Sequence, residues 1–224
     1  MRIGLCIIAT GKYHRFLEPL WESARRFFLP GHDVRLFLFS DRPAPVPCEH
    51  LDTPHRPWPL PTLYRYHTLL QAEERLRNLD YIFYCDADMR FVATVGDEVL
   101  GRLVAVVHPG FAGKPAHEFT YERRRQSRAY IPPGAGQHYY AGGFQGGRPD
   151  DYLAAARAMR QAIDDDLRHG LVAVWHDESH WNRYCLDRAP AVVLPPTYCC
   201  PESWPMPGRK LLALDKNHAE IRGP

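Results

Sequence analysis

Short apolar runs alternate with longer amphipathic stretches along this chain, and that alternation predicts an α/β protein. A short run of aliphatic, aromatic and β-branched residues is typical of a buried strand. The stretch after the first run has apolar residues at helical spacing, which predicts a helix that begins near Leu17 with Pro19 in its first turn. The predicted strands cover residues 3–8, 33–40, 80–85, 103–107 and 191–194.

Two further helices are predicted later in the chain. The first has Thr62 as its N-cap and continues to residue 76, because apolar residues recur through this stretch at helical spacing. The second begins at Asp150 or Asp151 and is closed by Gly170, since glycine commonly ends helices.

Three polar stretches lie between or within these elements. Residues 43–61 are rich in proline and are predicted to form a long ordered loop. Residues 112–138 are polar and basic and are predicted to form a long surface excursion. The triplet Asp164-Asp165-Asp166 places its side chains on different faces of a helix and is predicted to be solvated.

Composition limits the class of protein. With 224 residues, 45% of them hydrophobic, we expect one domain over residues 1–224. A net charge of +2 gives no strong field for nucleic acid, and six cysteines without C-x-x-C spacing do not indicate a disulfide framework. The apolar run at residues 3–8 is too short to span a bilayer and lacks a signal-peptide cleavage pattern. We therefore expect a cytoplasmic chain with no membrane span and no nucleic-acid partner.

Two aspartates follow the predicted strand at residues 80–85, in the sequence Asp86-Ala87-Asp88. A strand that ends in carboxylates at alternate positions brings them to the sheet edge where open α/β sheets bind ligands. Two nearby carboxylates repel each other, and a divalent cation cancels that cost. Oxygen ligands of this kind suit Mn²⁺ or Mg²⁺ when substrate phosphates complete the site. The alternative is a solvated turn after a strand.

A second concentration of reactive side chains is Trp175-His176-Asp177-Glu178-Ser179-His180. His176 and His180 have the spacing of a zinc-protease helix, but Asp177 stands where that motif requires glutamate. Alternatively, the two carboxylates work on a sugar, because carboxylates stabilise positive charge at an anomeric carbon and aromatic rings pack on sugar faces. A helix that simply begins with acidic residues is the third interpretation.

Three other stretches carry weaker indications of function. Tyr13, in the loop after the first strand, could stack on a base, or the loop could be an ordinary βα turn. The glycine-rich stretch 139–147 either lets a ligand approach the backbone or forms a bent or bulged strand. The tail carries Lys216 and Arg222, which either fray with the terminus or order over a diphosphate.

Taken together, these stretches resemble glycosyltransferase family 6, the family of the histo-blood-group A and B transferases. The matching pieces keep one order over nearly the whole chain, and the Trp-His-Asp-Glu-Ser-His run is the most specific of them. They are Ile3-Gly4-Leu5 through Tyr13, Gly31-His32-Asp33-Val34, Asp86-Ala87-Asp88-Met89, His108-Pro109-Gly110-Phe111, Phe119-Thr120-Tyr121-Glu122-Arg123-Arg124, Tyr139-Tyr140 with Gly142-Gly143-Phe144 and Gly146-Gly147, Ala173-Val174 with the run at 175–180, and Lys216-Asn217-His218.

The resemblance implies a GT-A fold, in which a Rossmann-like nucleotide-binding half-sheet is fused to an acceptor-binding half. It also implies a retaining transfer of galactose or N-acetylgalactosamine from a UDP-sugar to an oligosaccharide acceptor in α1,3 linkage. Glu178 would face the anomeric carbon, either as a nucleophile or as a stabiliser of the developing cation. Asp86 and Asp88 would hold Mn²⁺. The implied donor-binding residues are Ile8, Ala9, Thr10, Tyr13, Arg65, Asp86, Ala87, Asp88, Ala141, Gly142, Gly143, Asp177, Lys216 and Arg222, and the implied acceptor-binding residues are His108, Thr120 and Trp175.

Several features distinguish this chain within the resemblance. We expect it to lack the membrane anchor and stem of the mammalian enzymes, as in shorter bacterial-type members. Many of those members have asparagines where this chain keeps Asp86 and Asp88, so we expect metal dependence. The small residues Ala141, Gly142 and Gly143 favour N-acetylgalactosamine over galactose as the transferred sugar. The expected acceptor is fucosyl-α1,2-galactose. The rival functions are a zinc hydrolase that uses His176 and His180 and a sugar-binding module without catalysis.

Overall fold

The apolar runs form the centre of a seven-stranded sheet in the computed structural model, which describes residues 1–222 and only the backbone of Arg222. All five predicted strands are confirmed, each within one residue at either end. The strands are β1 (Arg2–Ile8), β2 (Asp33–Ser40), β3 (Glu49–Asp52), β4 (Tyr81–Cys85), β5 (Met89–Phe91), β6 (Leu103–Val107), β7 (Tyr140–Gly147), β8 (Val192–Leu194), β9 (Cys200–Pro201) and β10 (Leu211–Ala213).

The strand order in the large sheet is β3-β2-β1-β4-β7-β6-β8. The first four of these strands run parallel, whereas β7 is antiparallel to both β4 and β6. Parallel strands end at the same edge, so the loop after β1 and the acidic residues after β4 lie side by side. This sheet order, with helices packed against it, is consistent with the expected GT-A fold.

A smaller sheet joins the end of the chain to the acidic loop after β4. Its central strand β10 is antiparallel to β5 and parallel to β9. Just beyond β10, the Leu214 amide donates to the carbonyl of Asp88 at 2.9 Å. The tail is therefore held next to Asp88 by backbone hydrogen bonds.

The helices cover the sheet, and most of their boundaries follow from local sequence. The helix predicted to begin near Leu17 does so, and Pro19 lies in its first turn, where the missing amide costs nothing. None of the helices in the described residues is long and apolar enough to cross a bilayer. The α-helices are α1 (Leu17–Phe27), α2 (Leu60–Leu63), α3 (Arg65–Leu69), α4 (Glu73–Leu76), α5 (Pro149–Arg168), α6 (His176–Asp187) and α7 (His218–Arg222).

Two predicted helix caps are wrong. Thr62 lies inside α2, which begins after Pro59, and the helix predicted to continue from there is divided into three short helices. The N-cap of α5 is Arg148 rather than Asp150 or Asp151. Proline at the first position of α5 sets the helix start, and the two aspartates occupy its first turn instead.

Two loop predictions also need correction. Residues 43–61 contain the short strand β3, which pairs with β2 at the sheet edge and which its charged, exposed residues concealed. Residues 112–138 are not a purely surface excursion. Phe119, Tyr121 and Ile131 are buried and pack with Tyr139 in a separate apolar cluster.

The prediction that the Asp164–Asp166 triplet is solvated is wrong for one member. Asp166 is buried, and its carboxylate accepts hydrogen bonds from Ser127 Oγ at 2.5 Å and from the Arg128 amide at 2.7 Å. These partners are nearly forty positions away in the sequence, so helical periodicity could not identify them. This carboxylate fixes the segment around residue 127 against α5.

Candidate active site

Four carboxylates meet in one cleft of about 320 Å³ at the carboxyl edge of the large sheet. Asp86 and Asp88 follow β4, and Asp177 and Glu178 lie in the first turn of α6. The cleft is lined by Ile8, Thr10, Tyr13, His55, Arg56, Trp58, Pro61, Thr62, Arg65, Tyr84, Asp86, Ala87, Asp88, Gly142, Gly143, Trp175, His176, Asp177, Glu178, Lys216 and Ile221.

Arg65 is a buried cation that contacts two of these carboxylates. Its Nη2 donates to Oδ1 of Asp86 at 3.0 Å, and its Nε lies 3.1 Å from Oδ2 of Asp177. Its Nη1 donates to the carbonyl of Gly142, and its guanidinium lies 4.3 Å from the centre of the Tyr84 ring. The planar fork of arginine suits it to join a strand end, a glycine carbonyl and a helix start.

Asp177 is fully buried, and neither of its carboxylate oxygens accepts a hydrogen bond in the described part of the chain. Burial raises its pKa to about 7, against the opposing attraction of Arg65. A buried carboxylate without hydrogen bonds is costly, and such groups usually receive donors from water or a ligand. Asp177 is therefore suited to accept hydrogen bonds from hydroxyl groups of a bound molecule.

Glu178 is fixed through both oxygens. Oε2 accepts from the Gly142 amide at 2.8 Å, and Oε1 accepts from the Tyr139 hydroxyl at 3.0 Å. Burial raises the pKa of Glu178 to about 7, and these two hydrogen bonds act in the opposite direction. The side chain is thus preorganised, with a carboxylate that changes charge near neutral pH.

A bulge in β7 places the Gly142 amide at Glu178. The pairing of β6 with β7 shifts register between Ala105 and Val106, so that residues 142–144 on β7 have no partner on β6. The Gly143 carbonyl accepts from the Asp86 amide at 2.8 Å, and the neighbouring glycine turns its amide to α6. The glycine-rich stretch is thus a bulged strand and also a wall of the cleft.

The raised pKa values of Asp177 and Glu178 predict how stability depends on pH in the ligand-free chain. Because the folded state holds these protons more tightly than the unfolded state, this contribution to stability is present below about pH 4 and is lost as pH rises to about 7. The free energy of unfolding of the unmodified chain should therefore fall between pH 5 and pH 8. We expect the fall for Glu178→Gln to be smaller by roughly 1–3 kcal/mol. Urea unfolding at both pH values measures this, and equal losses in the two proteins would contradict it.

Lys216 lies against the second aspartate of the acidic loop. Its Nζ contacts Oδ2 of Asp88 and lies 5.9 Å from the centre of the Tyr13 ring. Both Lys216 and Asp88 are largely buried. The tail therefore brings a cation to the place where the sequence predicted positive charge over a diphosphate. The side chain of Arg222, predicted to act with Lys216, lies outside the described residues.

The loop after β1 supplies the other side of the cleft. Ile8, Thr10 and Tyr13 line it, and Ala9 is buried behind them with its amide on the Phe39 carbonyl at 2.9 Å. His55 lies 3.3 Å from Thr10 through its Nδ1 atom. Ala9 could therefore contact a ligand only through its backbone.

Of the three residues with implied acceptor roles, two are bonded to each other at the mouth of the cleft and the third lies outside the cleft. Trp175 is 47% exposed at the cleft mouth, and its Nε1 donates to the Thr120 hydroxyl at 2.9 Å. His108 does not line the cleft; its Nδ1 accepts from the Gly110 amide at 3.0 Å, and its ring lies 5.7 Å from that of Tyr139. Burial lowers the pKa of His108 to about 4. His108 thus stands behind the residue that donates to Glu178.

The structure brings most of the implied site residues to the cleft and leaves a few beside it. Ala141 is buried next to the lining glycines but does not itself line the cleft. The lining residues without an implied donor- or acceptor-binding role are His55, Arg56, Trp58, Pro61, Thr62, Tyr84, His176 and Ile221. Half of them come from the proline-rich segment 43–61, where Trp58 was the detectable signal because aromatic side chains commonly line ligand pockets.

The zinc interpretation of the His176–His180 pair gains no support from the geometry. His180 is buried, with its Nε2 3.6 Å from Asp166, whereas His176 lies at the cleft with its ring 5.5 Å from that of Trp58. Burial lowers the pKa of His180 to about 4. Within residues 1–222, no group of three or more histidine, cysteine, aspartate or glutamate side chains is placed to hold a metal ion.

His176 has a backbone conformation that marks the start of α6. Its φ angle is +51°, in the left-handed region that non-glycine residues seldom adopt. Such strain costs on the order of 1–3 kcal/mol and collects at functional sites. Here it turns the chain so that Trp175 faces the cleft mouth while the next two residues, both acidic, enter the cleft.

Comparison with known proteins gives one consistent result. The family model described as Glycosyltransferase family 6 matches residues 1–223. The rat protein "Histo-blood group ABO system transferase 2" is 39% identical over an alignment of 237 residues. The alignment covers 98% of this chain and 71% of the rat protein. The human "Globoside alpha-1,3-N-acetylgalactosaminyltransferase 1" is 36% identical over 239 residues, 99% of this chain and 69% of the human protein. The Escherichia coli "O-antigen biosynthesis glycosyltransferase WbnI" is 26% identical over 211 residues, 91% of this chain and 90% of that protein.

Proposed function

This chain belongs to glycosyltransferase family 6 and is a hexosyltransferase, and from that premise we propose the reaction it catalyses. The proposed donor is UDP-N-acetylgalactosamine, with UDP-galactose as the alternative donor. The sugar is transferred with retention of configuration, in α1,3 linkage, to a galactose-containing acceptor. Fucosyl-α1,2-galactose is the proposed acceptor. The similarity to a human protein named as an α1,3-N-acetylgalactosaminyltransferase supports both the sugar and the linkage.

The observation that carries this proposal is the pairing of Asp177 with Glu178. Among the described residues no group donates a hydrogen bond to Asp177, and Glu178 beside it is held rigid by Gly142 and Tyr139. Sugar hydroxyls are donors that would satisfy the first carboxylate. With a sugar held in this way, Glu178 would lie beside the anomeric carbon. A carboxylate at that position would stabilise the positive charge that develops there or attack the carbon.

In the proposed reaction, the bond between the anomeric carbon and the diphosphate oxygen breaks, and its electron pair leaves with UDP. The acceptor hydroxyl forms the new bond on the same face and gives its proton to the departing phosphate oxygen or to solvent. Glu178 serves either as the nucleophile of a covalent intermediate or as the charge that stabilises the oxocarbenium-like transition state. Both roles require Glu178 to be ionised.

The acidic loop fits a divalent cation. Asp88 already accepts a cation, the Lys216 ammonium, on Oδ2. Asp86 uses Oδ1 for Tyr84 and Arg65, while within the described residues its Oδ2 accepts no hydrogen bond. Asp86 and Asp88 would therefore hold Mn²⁺ or Mg²⁺, which would supply positive charge to the leaving diphosphate. Lys216 and Arg65 would add charge to the same group.

The glycines at the cleft favour the larger of the two candidate sugars. A Cβ atom at Gly142 would lie 3.1 Å from the Arg65 guanidinium, and one at Gly143 would lie 3.1 Å from Oδ2 of Asp86. Glycine at both positions keeps these groups in place and leaves space on the cleft side. That space supports N-acetylgalactosamine, whose acetamido group is bulkier than a hydroxyl, as the transferred sugar.

A panel of donors and acceptors tests the function. We expect UDP release from UDP-N-acetylgalactosamine to rise at least about tenfold when fucosyl-α1,2-galactose is added, with UDP-galactose giving a lower rate. NMR of the product should show an α1,3 linkage. Donor binding without UDP release or product would support the sugar-binding module instead.

Chelation in the same assay tests the metal. We expect EDTA to lower the rate at least about tenfold and Mn²⁺ to restore it, because the diphosphate would lose a partner for its developing charge. Unchanged activity in EDTA would contradict metal assistance. Tightly bound zinc in the purified protein would favour the hydrolase.

A further inference from the structure

A second groove lies beside the cleft and shares one wall with it. Its volume is about 660 Å³, and it is wide open to solvent. None of the residues with implied donor-binding roles whose side chains the structure describes lines it. The groove is lined by Tyr121, Glu122, Arg123, Arg124, Val172, Ala173, Val174 and His176.

The shared wall belongs to the acceptor side of the cleft. His176 lines both spaces, and the Trp175 indole is bonded to Thr120, the residue before Tyr121. The Val174 amide donates to Oε2 of Glu122 at 2.9 Å, which fixes the strip 172–175 to the groove floor. A molecule that extends past Trp175 would therefore pass into this groove.

Two guanidinium groups in the groove are held in place by the protein. Arg123 donates to the carbonyls of Ile131 and Pro132 at 2.7 and 2.9 Å, and its guanidinium lies 5.3 Å from the centre of the Tyr121 ring. Arg124 donates to the carboxylate of Glu122 and, at 2.6 Å, to the Val172 carbonyl. Arginines fixed in this way lose little side-chain entropy when they bind a ligand.

The floor of the groove is formed by Glu122, whose negative charge is paired with Arg124. Glu122 is buried; burial alone would raise its pKa, but hydrogen bonds from Arg124 and from the backbone lower it to about 2. The pair leaves the groove close to neutral apart from Arg123. Two aliphatic side chains, Val172 and Val174, are 39% and 47% exposed at the rim.

We propose that this groove binds the sugars that follow the fucosylated galactose in the acceptor glycan, so that the substrate is an oligosaccharide of at least four units. The inference rests on the proposed function. Sugar rings present apolar faces that would pack on Val172 and Val174, and hydroxyl and ring oxygens that would accept hydrogen bonds from Arg123 and Arg124. Continuity with the wall formed by Trp175 and His176 gives the direction in which the glycan runs.

Two acceptors of different length test the proposal. One is the disaccharide fucosyl-α1,2-galactose, and the other is a tetrasaccharide that bears this disaccharide at its non-reducing end. We expect the KM for the tetrasaccharide to be about tenfold lower than that for the disaccharide, since the longer acceptor gains contacts in a second site. Equal KM values, or transfer to the disaccharide alone, overturn the second site and leave the transferase proposal intact. Transfer to neither acceptor overturns both.

Variants connect the length preference to the groove. Arg123→Met should reduce kcat/KM for the tetrasaccharide about tenfold more than for the disaccharide, through KM rather than kcat. Val174→Ser, which removes no backbone or arginine contact, should act in the same direction and guards against misfolding of the first variant. Arg125→Met, an exposed neighbour that does not line the groove, is the matched control and should leave the ratio unchanged. Equal loss for both acceptors in the groove variants contradicts the assignment.

Discussion

The Glu178→Gln variant is expected to lose on the order of 10³-fold in kcat while its donor affinity changes by less than about threefold. Glutamine keeps the shape of the side chain. Its carbonyl oxygen can still accept the hydrogen bond that the Gly142 amide donates to Glu178 at 2.8 Å in the parent structure. What it lacks is the negative charge beside the anomeric carbon. Steady-state kinetics with UDP-N-acetylgalactosamine, together with calorimetric titration of UDP, separate the two effects.

The control for this variant is Glu18→Gln, which makes the same chemical change at an exposed position in the first turn of α1. It should leave kcat within experimental error. Near-normal turnover by Glu178→Gln would rule out both a covalent and a charge-stabilising role for this carboxylate. The acid limb of kcat/KM, which we expect near pH 7 from the raised pKa values of Asp177 and Glu178, should become weaker in the variant, where only Asp177 still titrates.

Replacing Arg65 with methionine should destabilise the fold by about 3–5 kcal/mol, because it leaves buried charge without a partner. Arg65 is 4% exposed, and the carboxylate of Asp177 next to it is fully buried. Methionine fills much of the volume but cannot donate to Asp86 or Gly142. The free energy of unfolding in urea at pH 8, above the pKa of about 7 of Asp177 in the parent, measures the loss.

The matched control is Arg77→Met, which breaks an exposed pair with Glu73 on α4. Exposed pairs of this kind contribute roughly 0–1 kcal/mol, so this variant should stay near the parent. If Arg65→Met unfolds no more easily than Arg77→Met, Arg65 does not hold the acidic site together. The double variant Arg65→Met with Asp177→Asn should recover part of the stability, since the unpaired charge of Asp177 is then removed.

The strands and the acidic loop could be predicted from sequence because their signals are local. A run such as Tyr81–Cys85 is buried on both faces of the sheet, so every residue in it is apolar, and the aspartates that follow mark its end. The same reasoning missed β3, whose four residues include three charged or polar side chains exposed at the sheet edge. Charged residues on an edge strand prevent it from pairing with another chain. They also remove the alternating apolar pattern from which a strand is predicted.

The contacts that give the site its chemistry depend on pairing between distant segments. The Tyr139 hydroxyl donates to Glu178 across 39 positions, and the Gly142 amide donates to the same carboxylate across 36 positions. Neither contact is indicated by a local spacing in the sequence. Their roles follow from the bulge in β7 and the register of its pairing, which no local pattern encodes.

The Asp177–Glu178 pair shows what each level of reasoning contributes. The sequence placed both residues at a helix start beside Trp175, which allowed three interpretations. The structure separates the two carboxylates: one accepts no hydrogen bond in the described chain, and the other is fixed through both oxygens. The Tyr139 hydroxyl and the Gly142 amide, which no local spacing connects to α6, account for the difference.

The most direct test of the account is a crystal structure of Glu178→Gln with intact UDP-N-acetylgalactosamine and Mn²⁺. We expect the metal on Asp86 and Asp88 against the diphosphate, a sugar hydroxyl donating to Asp177, and the residue 178 amide within about 3.5 Å of the anomeric carbon. A sugar bound away from residue 178, or a diphosphate that touches neither aspartate of the acidic loop, would contradict it.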